Sequence, residues 1–203
     1  MSTLNTETAN KTPKTARGER TRRRLLDAAE REFGAHGFHA TSIGEITRRA
    51  KVALGTFYVY FDSKDEIFRD LVAHMGQVTR AWIAERVANA ANRLEVERQG
   101  TKAFIEFARA HTDLYRIVME AQFVAPDAYR DYYESFAHGY QRNLDDAAER
   151  GEIRSGDSEI LAWSLIGITV FLGMRFGVWD QSRSTDELAD EVHELLKNGL
   201  AAK

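Results

Sequence analysis

The sequence predicts an all-α protein of about nine helices: a small N-terminal three-helix head, then a larger helical body. Three observations carry that expectation. Prolines stand only at 13 and 126, so little interrupts long helices, and the content of Ala, Leu, Glu and Arg favours them. Apolar residues recur at helical spacing from the first helix to the last. The charge is also divided: residues 1–64 hold 12 Lys+Arg against 7 Asp+Glu, a balance of +5, while the remainder holds 16 against 24, a balance of −8. A basic head on an acidic body points to a polyanion that meets the head alone.

Other bulk properties narrow the class. The 203 residues suffice for one large or two small domains with a real core. The absence of cysteine excludes disulfides and thiolate metal sites. The opening from Met1 to Arg24 is polar and then basic, unlike a secretory signal. The run Ile160–Val178 is long enough for a bilayer, but Ser164, Thr169, Arg175 and three glycines within it suit a protein–protein helix better. A soluble, cytoplasmic protein without a membrane partner is expected.

Residues 1–16, rich in Thr, Asn and Lys and without periodicity, are expected to form a disordered arm. Arg17 and Arg20 follow where an arm could reach phosphates or a minor groove, with a solvated helix start as the alternative. Leu25, Leu26, Ala29 and Phe33 mark the first amphipathic helix. Gly37 is its left-handed cap, and Phe38 is placed to fold back on the last turn. Ser42 and Glu45 make a capping box for a second helix whose buried side carries Ile43, Ile46 and Ala50. After Lys51 and Val52 the apolar pattern restarts at a new phase. Phe57 and Phe61 mark the buried side of the next helix, Leu54 its flank, and Gly55, Thr56 and Val59 point away, with Tyr58 at the edge. A slim outward face fits a major groove about 12 Å wide. Residues 17–62 therefore read as a helix-turn-helix domain with the recognition helix near 53–60.

A long helix near 63–92 opens the body, 63–203, with a second capping box from Ser63 and Glu66. Lys64 in its first turn opposes the helix dipole, a conflict that a docked phosphate would resolve. Further helices are expected near 94–110, 113–123, 126–150, 157–180 and 185–201.

With these residues in place, the chain resembles the tetracycline-repressor (TetR/AcrR) family of one-component transcriptional regulators. Phe33, Gly37, Phe38, Thr41, Ser42, Ile43, Ile46, Ala50, Val52, Gly55, Thr56, Phe57, Tyr58, Tyr60, Phe61 and Lys64 match the family pattern. The resemblance spans about 50 residues, and the body matches only in length and helical character. It implies base or phosphate contact by Thr56, phosphate contacts by Tyr58, Tyr60 and Lys64, close backbone approach at Gly55, and phosphate contacts by Thr41 and Ser42. Ring packing is the alternative for Tyr58 and Tyr60. Three positions depart from the pattern. Thr47 replaces Ala, Lys51 replaces a turn Gly and can add a phosphate contact, and Ala53 replaces the capping Ser. Leu54, often polar in the family, can touch a thymine methyl or pack.

The resemblance also implies that the body binds a small effector and dimerises. Candidate effector residues are Phe104, Phe107, His111, Met119, Gln122, Phe123, Tyr133, Phe136, Trp163, Thr169 and Arg175, with Asn143 a further polar group; plain core packing is the alternative for each. Arg175 needs a partner, either a carboxylate such as Glu120 or an anionic ligand. The segment Tyr115–Tyr133 resembles segments of regulators of fatty-acid or aromatic-acid catabolism, which sense acyl thioesters or similar lipophilic compounds. The last two helices are the expected dimer interface, through Ile160, Gly167, Gly173, Gly177, Leu188, Val192, Leu195 and Leu196.

The expectation is a homodimeric, ligand-responsive regulator, most simply a repressor of a palindromic operator. The alternatives are an activator of the same family, or a helical ligand-binding or scaffolding protein with a degenerate head. No enzyme is expected, since no His-Glu-x-x-His pair, phosphate loop or Cys nucleophile is present. His36 and His39 flank a helix-ending glycine, so no metal is expected, and no cofactor.

Overall fold

A computed structural model of the chain describes Pro13 and residues 15–200, of Leu200 the backbone only. Its described elements are helical: α1 (Ala16–Ala40), α2 (Ile43–Ala50), α3 (Leu54–Tyr60), α4 (Lys64–Val87), α5 (Arg93–Ala110), α6 (Thr112–Val124), α7 (Pro126–Glu149), α8 (Ser158–Leu172) continued by a π-helical segment (Gly173–Trp179), and α9 (Thr185–Leu200). The chain divides into two compact units, Met1–Leu71 and Val72–Lys203. Residues 1–12 and 14 of the expected arm lie outside the described residues. Thr15 is already the N-cap of α1, its hydroxyl accepting the Gly18 N–H at 3.1 Å. Arg17 and Arg20 therefore stand on the first turns of a helix, not on an arm.

In the head, Gly37 takes φ 79°, ψ 168°, a conformation that side chains rarely adopt. It turns the chain so that Phe38 stacks on Phe33, with ring centroids 5.8 Å apart, and meets the edge of Phe68 at 5.0 Å. Ile67, Phe68 and Leu71, all fully buried, bring the first turns of α4 into this core. The head thus ends at Leu71, beyond the boundary at 62 expected from sequence, because an aromatic cluster claims the helix start. Buried Glu32 pairs with Arg49 at 2.5 Å and ties α1 to α2. Both halves of the Ser42–Glu45 capping box form, and the Ser42 hydrogen bonds hold the Glu45 carboxyl below its usual range. Ala53 leaves α3 without a side-chain cap.

In the body, Leu144 and Ala147 of α7, Ala162 and Leu165 of α8, and Val192 and Leu196 of α9 share one core. Arg93 and Glu97, both buried, pair within α5, and Tyr140 donates its hydroxyl to the same carboxylate. The π segment packs on α5 through its glycines. A Cβ on Gly173 would lie 2.5 Å from the Phe104 ring, and one on Gly177 2.7 Å from Ala108. Arg109 holds the segment by donating to the Phe176 and Arg183 carbonyls, at 3.1 and 2.7 Å.

These contacts revise the expected dimer residues. Gly173 and Gly177 serve close packing inside the subunit, and Leu188, Val192 and Leu196 are buried in its own core. Ile160, Leu195 and Phe171 remain exposed, as does Trp163, and a Cβ on Gly167 would meet nothing within 4 Å. Ser158–Trp179 has the length and hydropathy of a membrane span among the described residues, and 28% of its apolar window is buried.

Replacing Gly37 by Ala is expected to destabilise the head by about 1–3 kcal/mol, because a Cβ strains the positive-φ backbone. Chemical denaturation followed by circular dichroism measures it; an unchanged midpoint would remove the role given to this turn.

Candidate nucleic-acid interface and effector cavity

The reading face of the head is built on α3. Phe57 is fully buried, and Phe61, just past the helix end, is buried with it, ring centroids 5.6 Å apart. This anchoring forces the opposite side outward, where Leu54, Tyr58 and Val59 are exposed. Gly55 is open, with nothing within 4 Å of a Cβ, and Thr56 is half-buried beside it. Tyr60 is half-buried, its hydroxyl 3.6 Å from where a Gly18 Cβ would stand. Lys51 adopts a left-handed conformation, φ 54°, ψ 48°, at the end of α2, and its N–H caps the Thr47 and Arg48 carbonyls. Lys51 thus places a Cβ in the left-handed region, a cost that a glycine at this turn would avoid.

The structure gathers Lys51, expected to contact phosphate, with arginines that the sequence does not group with it, beside Asp27. Arg24, Arg31, Arg49 and Lys51 surround one open pocket of about 210 Å³ on the head. Arg24 donates to the Ala50 and Lys51 carbonyls, which fixes the α2 end under it. These residues come from α1 and α2, more than 15 positions apart, so no local pattern betrays them.

Two expected phosphate ligands are otherwise engaged. Thr41 is buried, its hydroxyl donating to the Glu32 and Gly37 carbonyls at 3.1 and 2.8 Å. Lys64 donates to the Phe38 and Thr41 carbonyls at 2.7 and 2.8 Å, and its ammonium lies 4.3 Å from the Phe38 ring centroid. The dipole conflict at α4 is thus resolved inside the chain rather than by a docked phosphate. Ser42 stays exposed, but its hydroxyl already serves the capping box.

The body contains an apolar cavity of about 60 Å³ lined by Phe104, Tyr132, Tyr133, Phe136, Tyr140, Ile166 and Thr169, with Ile83, Gly100 and Val170. Behind Phe104, Tyr132 and Tyr133 lies a smaller one of about 20 Å³, against Met75, Phe107, Leu114 and Met119. A wider opening of about 210 Å³ shares Ile83, Gly100, Phe136 and Tyr140 with the first and adds Arg80, Arg93, Ser135 and Asn143. Burial raises the hydroxyl pKa of Tyr132 to about 12 and pushes those of Tyr115, Tyr133 and Tyr140 upward as well. All four are therefore neutral at any physiological pH. Arg93 is committed to Glu97. Arg80 stacks over the Phe136 ring at 5.2 Å, and no carboxylate among the described residues pairs with it.

Of the expected effector residues, Phe104, Phe107, Met119, Tyr133, Phe136 and Thr169 do line these cavities. Five do not. Phe123 is 82% exposed at the end of α6, with Gln122 beside it also exposed, because α6 buries Leu114, Ile117, Val118 and Ala121 instead. Trp163 points out from α8. His111 sits between α5 and α6 against Phe107 and Trp82, its pKa lowered by burial. Arg175 pairs with Asp180 at 3.1 Å rather than with Glu120 or a ligand. Arg80 was missed, although it stands on the same side of α4 as Ile83, Ala84 and Val87, and a cation on an apolar stripe is a readable signal.

Comparison with known proteins bears on both units. Residues 25–71 match the family described as bacterial regulatory proteins, tetR family. The HTH-type transcriptional regulator YdgC of Bacillus subtilis is 29% identical over 196 residues, 93% of this chain and 96% of that one. The structure of the transcriptional regulator FadR from Bacillus subtilis in complex with stearoyl-CoA superposes with a TM-score of 0.75 at 22% identity, covering 87% of this chain and 98% of the other. That of AibR in complex with isovaleryl coenzyme A and operator DNA gives 0.67 at 19% identity, covering 86% and 97%.

Lys64→Ala is expected to cost the head about 2 kcal/mol, since two buried-side carbonyls lose a charged donor. Urea unfolding reads this directly. Full stability in the variant would return Lys64 to the role of a surface cation.

Proposed function

We propose, from the match of residues 25–71 to the tetR family of bacterial regulatory proteins and the likeness to YdgC, that the chain is a regulator of that family: a ligand-responsive repressor which binds a palindromic operator as a homodimer. One observation carries the DNA-binding half of this reading. The face of α3 opposite Phe57 and Phe61 is exposed and slim, and a cluster of three arginines and Lys51 flanks the turn before it. Thr56 reads a base edge or a neighbouring phosphate, Tyr58 and Tyr60 offer hydroxyls to phosphates, and Arg24, Arg31 and Lys51 supply the sequence-independent attraction. Leu54 is exposed enough to meet a thymine methyl.

The dimer reading is supported by an exposed apolar stripe on α8. Ile160, Trp163 and Phe171 stand out from the surface around the open Gly167, and a second copy would cover them around a twofold axis. On this reading the stripe meets protein rather than lipid, and the protein acts in the bacterial cytoplasm.

The effector reading rests on the three cavities. An apolar interior lined by neutral tyrosines and phenylalanines opens towards Arg80, which has no carboxylate partner among the described residues, and this fits an amphiphile with an anionic head. The structures of FadR with stearoyl-CoA and AibR with isovaleryl coenzyme A favour an acyl thioester over a plain aromatic compound. Its arrival displaces α4, which lines all three cavities through Met75, Thr79, Arg80 and Ile83. The spacing of the two heads changes with it, and a coupling of roughly 1–3 kcal/mol suffices for useful induction.

Two measurements test the reading. In duplexes selected from a random pool, Thr56→Ala is expected to alter the preferred sequence. Arg31→Ala is expected to leave the preference intact and lower the salt dependence of binding by about one ion. Identical behaviour of both variants and the parent would count against this face. Trp163→Glu is expected to yield monomers in sedimentation and to lose at least tenfold in DNA affinity; a stable dimer would move the interface elsewhere.

A further inference from the structure

We infer that Phe104, held in place by Gly173, is a chain-length gauge that sets how long an acyl group the body accepts. The inference rests on the acyl-thioester reading above and names the residue that decides among such ligands.

Phe104 lies between two apolar chambers and lines both, with Tyr132 and Tyr133 completing the partition. The front chamber of about 60 Å³ shares Ile83, Gly100, Phe136 and Tyr140 with the opening that Arg80 lines, while the rear one of about 20 Å³ shares none of its wall with that opening. The rear chamber suits methylenes rather than polar groups. Its wall is Met75, Leu114 and Met119. Its polar side chains are satisfied within the protein, Thr79 by the Met75 carbonyl at 2.8 Å and Tyr115 by the Val170 carbonyl at 2.8 Å. A tail entering from the Arg80 side therefore reaches the Phe104 ring before it reaches this space.

The ring has little room to retreat. Phe104 is 7% exposed, and its Cε1 would lie 2.5 Å from a Cβ on Gly173, so the π-segment backbone is directly behind it. Arg109 pins that segment through the Phe176 and Arg183 carbonyls. A close-packed interior yields by discrete rearrangement rather than by gradual give. The partition thus acts as a stop: methylenes short of the ring gain contact, and those beyond it meet a wall.

The two residues give variants of opposite sign. Phe104→Ala joins the chambers and admits a longer tail. Gly173→Ala, on a backbone of ordinary helical φ −60° and ψ −41°, brings a Cβ to 2.5 Å of the ring, which must move into the space it lines and so shortens what fits. The probes are coenzyme A esters from butyryl to palmitoyl, titrated calorimetrically into the full-length protein.

For the parent, affinity is expected to rise about fourfold per methylene up to an optimum and then stop rising. Phe104→Ala is expected to move the optimum to longer chains, binding an ester two carbons beyond the parent optimum about tenfold more tightly than the parent does. Gly173→Ala is expected to move it to shorter ones. If the parent binds the esters and both variants keep its optimum, the gauge is overturned and the acyl-thioester reading stands. If no ester of any length binds the parent, that reading fails and the gauge with it. Should Phe104→Ala fold poorly, the shift in Gly173→Ala decides alone.

Discussion

The ammonium of Lys64 stands at the positive end of the α4 dipole, where a cation is disfavoured, and it is held there by the Phe38 and Thr41 carbonyls and the Phe38 ring. The same side chain thereby fixes the corner between α1 and α2 to the first turn of α4. Everything the head presents depends on that corner. Gly37 must take positive φ to bring Phe38 back, Phe38 must stack on Phe33 and Phe68, and the Thr41 hydroxyl must leave solvent for the Glu32 and Gly37 carbonyls. Only then does Ser42 begin α2 in register, so that Ile46 and Phe57 close the core and α3 is left with one face for DNA.

The body obeys a different constraint, which is the placement of polar groups around an apolar interior. Arg93 and Glu97 neutralise each other and collect the Tyr140 hydroxyl, so the cavity wall carries no unmet charge at that point. Arg80 is the exception at the mouth. It is the feature on which the proposed preference for an amphiphile with an anionic head rests. The π segment has a structural reason as well. Two glycines let a helix lie directly on α5, and the wall they support carries the Phe104 ring proposed as the length gauge.

Much of this was legible in the sequence, and the rest was not for definable reasons. Helix positions follow from apolar periodicity, and the body helices lie within a few residues of expectation. The Ser42 box and the missing cap at Ala53 could be read because capping chemistry is local, whereas Gly37 has the expected positive φ but an extended ψ of 168° in place of a left-handed cap. Lys64 could not, since its carbonyl partners lie 23 and 26 residues away. Phe123 and Trp163 were assigned inward because aromatic residues usually are; their outward placement depends on which face of α6 and α8 meets a neighbour. Gly173 and Gly177 were recognised as close-approach residues but given the wrong partner. Small residues signal that something comes near, without saying what.

The central claim is that the DNA face and the cavity are coupled, and coupling is reciprocal. The most direct measurement compares the affinity of octanoyl-coenzyme A for the protein alone with its affinity for the protein saturated by its selected duplex. Weaker binding on DNA is expected, by a factor of roughly 5–150 that equals the loss of DNA affinity caused by the ester. Equal affinity in the two states would contradict it.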